Sequence, residues 1–251
     1  TPRPTPIVRA LASSPTTRIT RGRTADNARN LAPGVVAALT ARYGATRLGR
    51  QELDGEILDD APGALWTWAM IEAGRVTVAP ALQRVVVAID PAVTSHEGSD
   101  ETGIVVAGLG WDGRVYVLAD VSGRYAPTEW AHVAVAAYRT HRADRIVAEV
   151  NNGGDMVASV LRMVDAAAPV RTVHASRGKA VRAEPVAALY EQGRVSHVGV
   201  LSRLEDQLTS WEPSSSRGSP DRLDALVWAL TDLVVEPQRE RAPLRESDHD
   251  F

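Results

Sequence analysis

Four acidic residues stand where apolar segments begin or end, and their placement suggests metal chemistry. Asp90 ends one apolar run and Glu149 ends another, whereas Asp221 and Asp224 open a third, Asp221-Arg-Leu-Asp224-Ala-Leu-Val-Trp-Ala-Leu. Carboxylate oxygens are the ligands that Mg²⁺ and Mn²⁺ prefer in proteins. Two such ions about 4 Å apart can activate water and stabilise the leaving 3′ oxygen in phosphodiester hydrolysis. Asp90 is the expected bridging ligand, and three further residues are candidate outer ligands: Asp221, Asp100 and Asp155.

Each carboxylate also has a simpler interpretation. Asp90 precedes Pro91, and Asp-Pro is common in turns. Asp221 and Asp224 would stabilise a helix start, with Asp221 as its cap, by about 0.3–1 kcal/mol. Glu149 is harder to explain in this way, because an unpaired carboxylate at the end of a buried strand is costly. A metal cation would compensate it.

Two loops carry candidate contacts to a phosphate backbone. Asn151-Asn-Gly153-Gly directly follows Glu149, and glycines at a helix start allow close approach of a phosphate, although an ordinary strand-to-helix turn fits as well. Arg177, Lys179 and Arg182 form a basic loop that suits DNA phosphates or a solvated surface equally. The histidines lack metal-ligand spacing and are expected to be incidental: His96, His174 and His197.

Composition describes an ordinary globular chain of 251 residues with a net charge of −3. It has no cysteine, which excludes disulfides and thiolate metal sites. No apolar run is long enough for a membrane span, and no signal-peptide pattern occurs. The chain begins at Thr1 rather than Met, so we expect a fragment or a processed product.

Residues 1–80 are expected to be mostly helical, without a self-contained sheet. Helical spacing predicts one helix capped by Asp26 or Asn27 and stopped by Gly44, and a short helix over Ala64–Met70. The charged, proline-containing tail, residues 237–251, is expected to be disordered.

Residues 81–236 show alternating strands and helices. The predicted strands are Val85–Ile89, Gly103–Leu109, Val115–Val121, Ile146–Val150, Val170–His174 and Val195–His197. The predicted helices are Glu129–His141 (capped by Thr128), Asp155–Ala166, Arg182–Gln192, Ser202–Ser210 and Asp221–Val235. Asp112-Gly113 predicts a hairpin turn. This order favours an α/β fold with a ribonuclease H-like mixed sheet flanked by helices, in which the first and fourth strands are neighbours. Asp90 and Glu149 would then lie side by side.

The same residues resemble a known family. The segments that carry the resemblance are Val87-Ala-Ile-Asp-Pro91, Asp100-Glu-Thr-Gly-Ile-Val-Val-Ala-Gly108, Ala148-Glu-Val-Asn-Asn-Gly-Gly-Asp155, Gly178-Lys-Ala-Val-Arg-Ala183 and Asp221-Arg-Leu-Asp224. They are similar to the C-terminal nuclease domain of phage terminase large subunits over nearly all of residues 83–235. The resemblance implies an endonuclease that cuts concatemeric viral DNA during packaging. It matches Asp90, Glu149 and Asp224 to the metal-binding triad and Asp221 to an auxiliary position.

Residues 1–80 resemble the end of the packaging ATPase domain and its linker in that family. No Gly-x-x-x-x-Gly-Lys-Ser/Thr phosphate loop occurs in the sequence, whose single lysine is Lys179. We therefore expect no ATP hydrolysis from this chain.

The resemblance implies partners and a place of action. Double-stranded DNA would be the substrate, while a portal protein, a small terminase subunit and an ATPase domain supplied elsewhere would be partners in the cytoplasm of a bacterial host. Two rival hypotheses stay open at this point: another ribonuclease H-like nuclease of the resolvase or transposase type, and a non-catalytic module that docks DNA or a portal.

Overall fold

The computed structural model describes residues 6–43, 47–56, 63–92, 101–151, 154–213 and 220–235. Within these ranges, four short α-helices precede the sheet: α1 (Pro6–Ala12), α2 (Val35–Tyr43), α3 (Arg47–Glu52) and α4 (Trp68–Ala73). A 3₁₀ helix, Thr24–Asn30, lies between α1 and α2.

Two helix predictions in this region are wrong in their bounds. The single helix predicted from Asp26 or Asn27 is divided into the 3₁₀ helix and α2, because Pro33 lacks a backbone N–H and Gly34 adopts a φ of 83°. The predicted stop at Gly44 lies outside the described residues. The short helix begins later than predicted, at Trp68, where the Thr67 side chain accepts a hydrogen bond from the Met70 N–H.

Six strands among the described residues form one mixed sheet. They are β1 (Leu82–Asp90), β2 (Gly103–Gly110), β3 (Val115–Asp120), β4 (Arg145–Glu149), β5 (Val170–Val173) and β6 (Val195–His197), in the spatial order β5-β4-β1-β2-β3-β6. β1 pairs antiparallel with β2 and parallel with β4. The predicted adjacency of the first and fourth strands is confirmed, as is the hairpin at Gly113, whose φ is 77°.

In the part of the chain that the structure describes, five further α-helices cover the sheet: α5 (Pro127–Thr140), α6 (Asp155–Val164), α7 (Lys179–Glu191), α8 (Ser202–Ser210) and α9 (Asp221–Leu230). Thr128 is not the cap of α5. Pro127 occupies the first helical position, which its fixed φ suits, and Glu129 accepts a hydrogen bond from the Ala126 N–H. The last helix is α-helical only to Leu230, and a π turn follows over Thr231–Val235.

The alternation of side chains along β1 places one apolar core on each face of the sheet. Val86 and Ala88 pack in the core that α7, α8 and α9 cover, whereas Val87 and Ile89 pack in the core beneath α5 and α6. Trp66 and Ile71, from the segment predicted to be a remnant and linker, also lie in the first of these cores. That part of the chain therefore packs against the sheet.

A buried polar network ties the same segment to the far edge of the sheet. Glu205 on α8 accepts hydrogen bonds from Arg75 and from the His197 ring, and the Tyr190 hydroxyl contacts the other His197 nitrogen at 2.8 Å. Such groups are stable when buried only because each is paired. No helix in the described part of the chain is long and apolar enough to cross a membrane.

Candidate active site

Asp90 and Glu149 are brought together by the pairing of β1 with β4. The parallel register aligns Ile89 with Ala148, so the next residue on each strand, Asp90 and Glu149, lies at the same edge of the sheet. Both strands end there because Pro91 follows Asp90 and the turn at Asn151 follows Glu149. The two carboxylates are therefore held on rigid neighbouring elements.

Helix α9 adds the other two carboxylates. Asp221 and Asp224 in its first turn are 6% and 2% exposed. The helix can approach this closely because β2 begins with Gly103, the residue paired with Asp90, and a Cβ on Gly103 would collide with the backbone oxygen of Asp221. A glycine at this one position thus sets the distance between α9 and Asp90.

The concentration of negative charge changes the protonation of Asp90. Burial, followed by repulsion from Asp224, Glu149 and Asp221, raises its pKa from 3.8 to about 8, and Lys179 opposes this only in part. The ionised form of Asp90 is therefore unfavourable in the metal-free protein. A bound cation would stabilise this ionised form, so the site is suited to bind one.

Two cations from α7 contact the carboxylates. The Lys179 ammonium lies 2.8 Å from Oδ2 of Asp224. The Arg182 guanidinium lies 3.4 Å from Oδ1 of Asp224 and 3.9 Å from Oε2 of Glu149. Both residues were predicted as DNA contacts from the basic loop, and the structure places their charges on the acidic cluster.

The donor set suits a hard divalent cation. Among the described residues, no three His, Asp or Glu side chains already converge on a common point, since Asp224 and Glu149 are turned towards Lys179, Arg182 and Trp228. The side chains available are all carboxylates, and Asp221 and Asp224 among them are 6% and 2% exposed. All-oxygen donors with surplus negative charge fit Mg²⁺ or Mn²⁺.

Three residues that position the site escaped the sequence prediction. Trp228 donates its indole N–H to Oε2 of Glu149 over 2.6 Å. Arg222 bonds to Asp120 and Glu101, and Gln207 on α8 accepts a hydrogen bond from the Leu223 N–H in the first turn of α9. For Trp228 a signal existed, because it follows Asp224 by four residues and so shares its helix face.

Two of the residues predicted to contact the DNA backbone, Arg177 and Arg182, line a cleft, and Arg182 also contacts the carboxylates. A cavity of about 340 Å³ is lined by His174, Ser176, Arg177, Arg182 and Trp228, among others. Arg177 is exposed at its rim. Asn151 is exposed too, but its side chain binds both backbone groups of Ala175 and so joins the two loops.

The remaining candidates have different placements. Asp100, Gly153 and His96 lie outside the described residues, and Asp155 begins α6. His174 lines the cleft, whereas His197 belongs to the buried network with Glu205.

Comparisons with known proteins agree with this architecture. A family model described as the terminase RNaseH-like domain matches residues 87–233. The terminase nuclease domain of human cytomegalovirus, solved Mn-soaked with an inhibitor, is 18% identical with a TM-score of 0.51, covering 67% of this chain and 94% of that one. The nuclease domain of the large terminase subunit gp2 of bacterial virus Sf6 is 14% identical with a TM-score of 0.53, covering 66% and 98%.

A longer relative shows how much of such a protein this chain spans. The large terminase of a thermophilic bacteriophage, in complex with ATP-gamma-S, is 12% identical with a TM-score of 0.50, and 84% of this chain covers 55% of that one. No curated protein sequence matches the chain. At these identities the structures establish the fold, and the family model extends over more than half of the residues. The chain belongs to the terminase RNase H-like domain family.

Proposed function

We propose that this protein is a metal-dependent endonuclease that cuts concatemeric viral DNA during genome packaging, with Asp90, Glu149 and Asp224 as its metal ligands. The observation that carries the proposal is the crowding of carboxylates at one sheet edge, which raises the pKa of Asp90 to about 8. Such crowding is unfavourable unless a cation is held there. Family membership supports a terminase nuclease over a resolvase or transposase.

Each carboxylate has a proposed role that follows from its position. Asp90, on the central strand, would be the ligand shared by the two ions, while Glu149 and Asp224 would each supply a further carboxylate and Asp221 would be auxiliary. Two bound Mg²⁺ or Mn²⁺ ions would supply an activated water and stabilise the leaving 3′ oxygen. The Mn-soaked cytomegalovirus nuclease domain and a Sf6 gp2 nuclease domain with manganese support this choice of metal.

The basic rim would hold the DNA. Arg177 is the strongest candidate for a phosphate contact, since it is exposed and lines the same cleft as Arg182, which contacts Asp224 and Glu149. Lys179 is 44% exposed beside Asp224 and can share its charge between that carboxylate and a phosphate. Asn151 and Gly153, which follow β4 in the sequence, would contribute backbone or amide contacts. These contacts read no sequence and weaken with salt.

Plasmid nicking with Mn²⁺ or Mg²⁺ tests the proposal. The parent protein should nick the plasmid only when the metal is present, and Asp90→Ala, Glu149→Ala and Asp224→Ala should each abolish nicking. Glu184→Ala, which removes an exposed carboxylate from α7, is the matched control and should keep the parent rate. A parent that cleaves under neither metal would refute the nuclease assignment, and cleavage surviving in the three variants would refute the site.

The packaging role implies partners beyond DNA. A portal protein, a small terminase subunit and an ATPase domain supplied elsewhere would act with this chain at the procapsid in the host cytoplasm. Because the sequence has no phosphate loop, we expect the pure chain to show no ATP turnover.

A further inference from the structure

Trp228 contacts the candidate metal site from the buried side of α9. It is 7% exposed, and its indole Nε1 donates to Oε2 of Glu149 over 2.6 Å. Glu149 is itself only 12% exposed at its side chain. A hydrogen bond to an ionised acceptor is roughly twice as strong as a neutral one. This contact therefore joins the end of β4 firmly to α9.

The face of the same indole holds the nearest cation. The Arg182 guanidinium carbon lies 4.6 Å from the centre of the Trp228 ring. From there Arg182 reaches both Asp224 and Glu149. Trp228 thus contacts one carboxylate directly and a second through Arg182, using its N–H for one and its π face for the other.

A second buried tryptophan in the same core offers a comparison. Trp66 lies in that core with 0% exposure, and its Nε1 has no hydrogen-bond partner in the described chain. At Trp228 the N–H is instead directed at a carboxylate that faces Asp90.

The bond selects one oxygen of Glu149. Within the described residues the hydrogen bond and the arginine contact both involve Oε2, and Oε1 has neither. A carboxylate held by one oxygen has a defined orientation and one oxygen left to coordinate. Partners that orient metal ligands in this way typically contribute about 10–100-fold to metal affinity.

We infer that Trp228 is a positioning residue that orients Glu149 for a divalent cation through its indole N–H. This rests on the proposed function, because it takes Glu149 to be a metal ligand. Trp228 does not itself touch the metal or the substrate, and its effect passes through Glu149. The N–H, rather than the aromatic ring as such, is the required group.

Mn²⁺ titration by calorimetry without DNA tests this role. Trp228→Phe keeps an aromatic face for Arg182 but removes the donor, and Trp66→Phe is the matched control, a buried indole lost without a hydrogen bond. We expect Mn²⁺ affinity to fall about 10-fold in Trp228→Phe and to stay at the parent value in Trp66→Phe. In nicking assays the half-saturating Mn²⁺ concentration should rise by a similar factor, while the rate at saturating metal stays near that of the parent.

Two results would overturn the inference. One is a parent-like Mn²⁺ affinity in Trp228→Phe, and the other is an equal loss in Trp66→Phe, which would indicate a general packing effect. A parent that binds no Mn²⁺ would refute the proposed function instead, so the two failures are distinguishable.

A further test uses the parent protein, so its result does not depend on whether a variant folds. The indole N–H resonance of Trp228 should shift in the ¹⁵N spectrum when Mg²⁺ is added, and that of Trp66 should not. A Trp228 resonance that stays unchanged at saturating Mg²⁺ would contradict the inference.

Discussion

Arg222 on α9 reaches Asp120 at the end of β3, with 2.5 Å between its Nη1 and the carboxylate Oδ2. Its side chain also contacts Glu101 at 2.8 Å and donates to the backbone oxygen of Ser122. The Arg222 side chain is 4% exposed. Because Arg222 lies between Asp221 and Asp224, this contact anchors the turn that carries both acidic residues.

Replacing Arg222 by Met should destabilise the protein and displace the start of α9. Removing one partner of a buried ion pair leaves the other charge uncompensated, which costs about 3–5 kcal/mol. Urea unfolding measures this loss, and Arg203→Met, an exposed arginine of α8, is the control. The double variant with Asp120→Asn should recover part of the stability. If Arg222→Met unfolds at the parent midpoint, the anchoring role is wrong.

Gly103→Ala should weaken metal binding and lower stability, although the substitution adds only one methyl group. The added Cβ would collide with the backbone oxygen of Asp221, so α9 must move away from β1 and β2. Overpacking of this kind costs about 1–3 kcal/mol. We expect weaker Mn²⁺ binding together with a lower melting temperature. Gly178→Ala, where a Cβ meets no atom, is the comparison, and equal effects at both glycines would contradict the argument.

The metal-free protein should lose stability as the pH rises through the titration of Asp90. Its pKa is raised from 3.8 to about 8, so the folded chain keeps a proton that the unfolded chain releases. Between those values the free energy of unfolding therefore falls with rising pH. Asp90→Asn should remove this dependence and be the more stable protein at the alkaline end, as measured by urea unfolding with a chelator. Identical pH slopes for parent and variant would exclude this account.

Glu205→Gln should destabilise the fold at neutral pH. Burial opposes ionisation of Glu205, but hydrogen bonds from His197 and Arg75 outweigh it and lower its pKa from 4.5 to about 2. The stabilisation is present above 4.5 and is lost as the pH falls through about 2. Breaking this buried pair should cost about 3–5 kcal/mol at neutral pH. Thermal unfolding against pH measures it, and a variant as stable as the parent at neutral pH would be the opposite result.

Much of the fold follows from patterns that act locally. The apolar runs before Asp90 and Glu149 predict strands, and helical spacing predicts the elements that alternate with them, because period and turn chemistry depend on near neighbours. The order of these elements limits the topology and places Asp90 beside Glu149. The helix bounds predicted from the sequence differ from the observed bounds where a single residue opposes the helical pattern. In α5, for example, Pro127 occupies the first helical position, so Thr128 is not the cap.

The sequence by itself determined which carboxylates stand at strand and helix ends, since these positions follow from local structure. Only the tertiary structure decided their partners. Arg182 meets Asp224 from 42 residues away, and Trp228 meets Glu149 from 79 residues away. Such contacts depend on how α7 and α9 pack across the sheet, and no local period encodes them. For that reason a basic loop predicted to face DNA also places two of its cations, Lys179 and Arg182, on the acidic cluster.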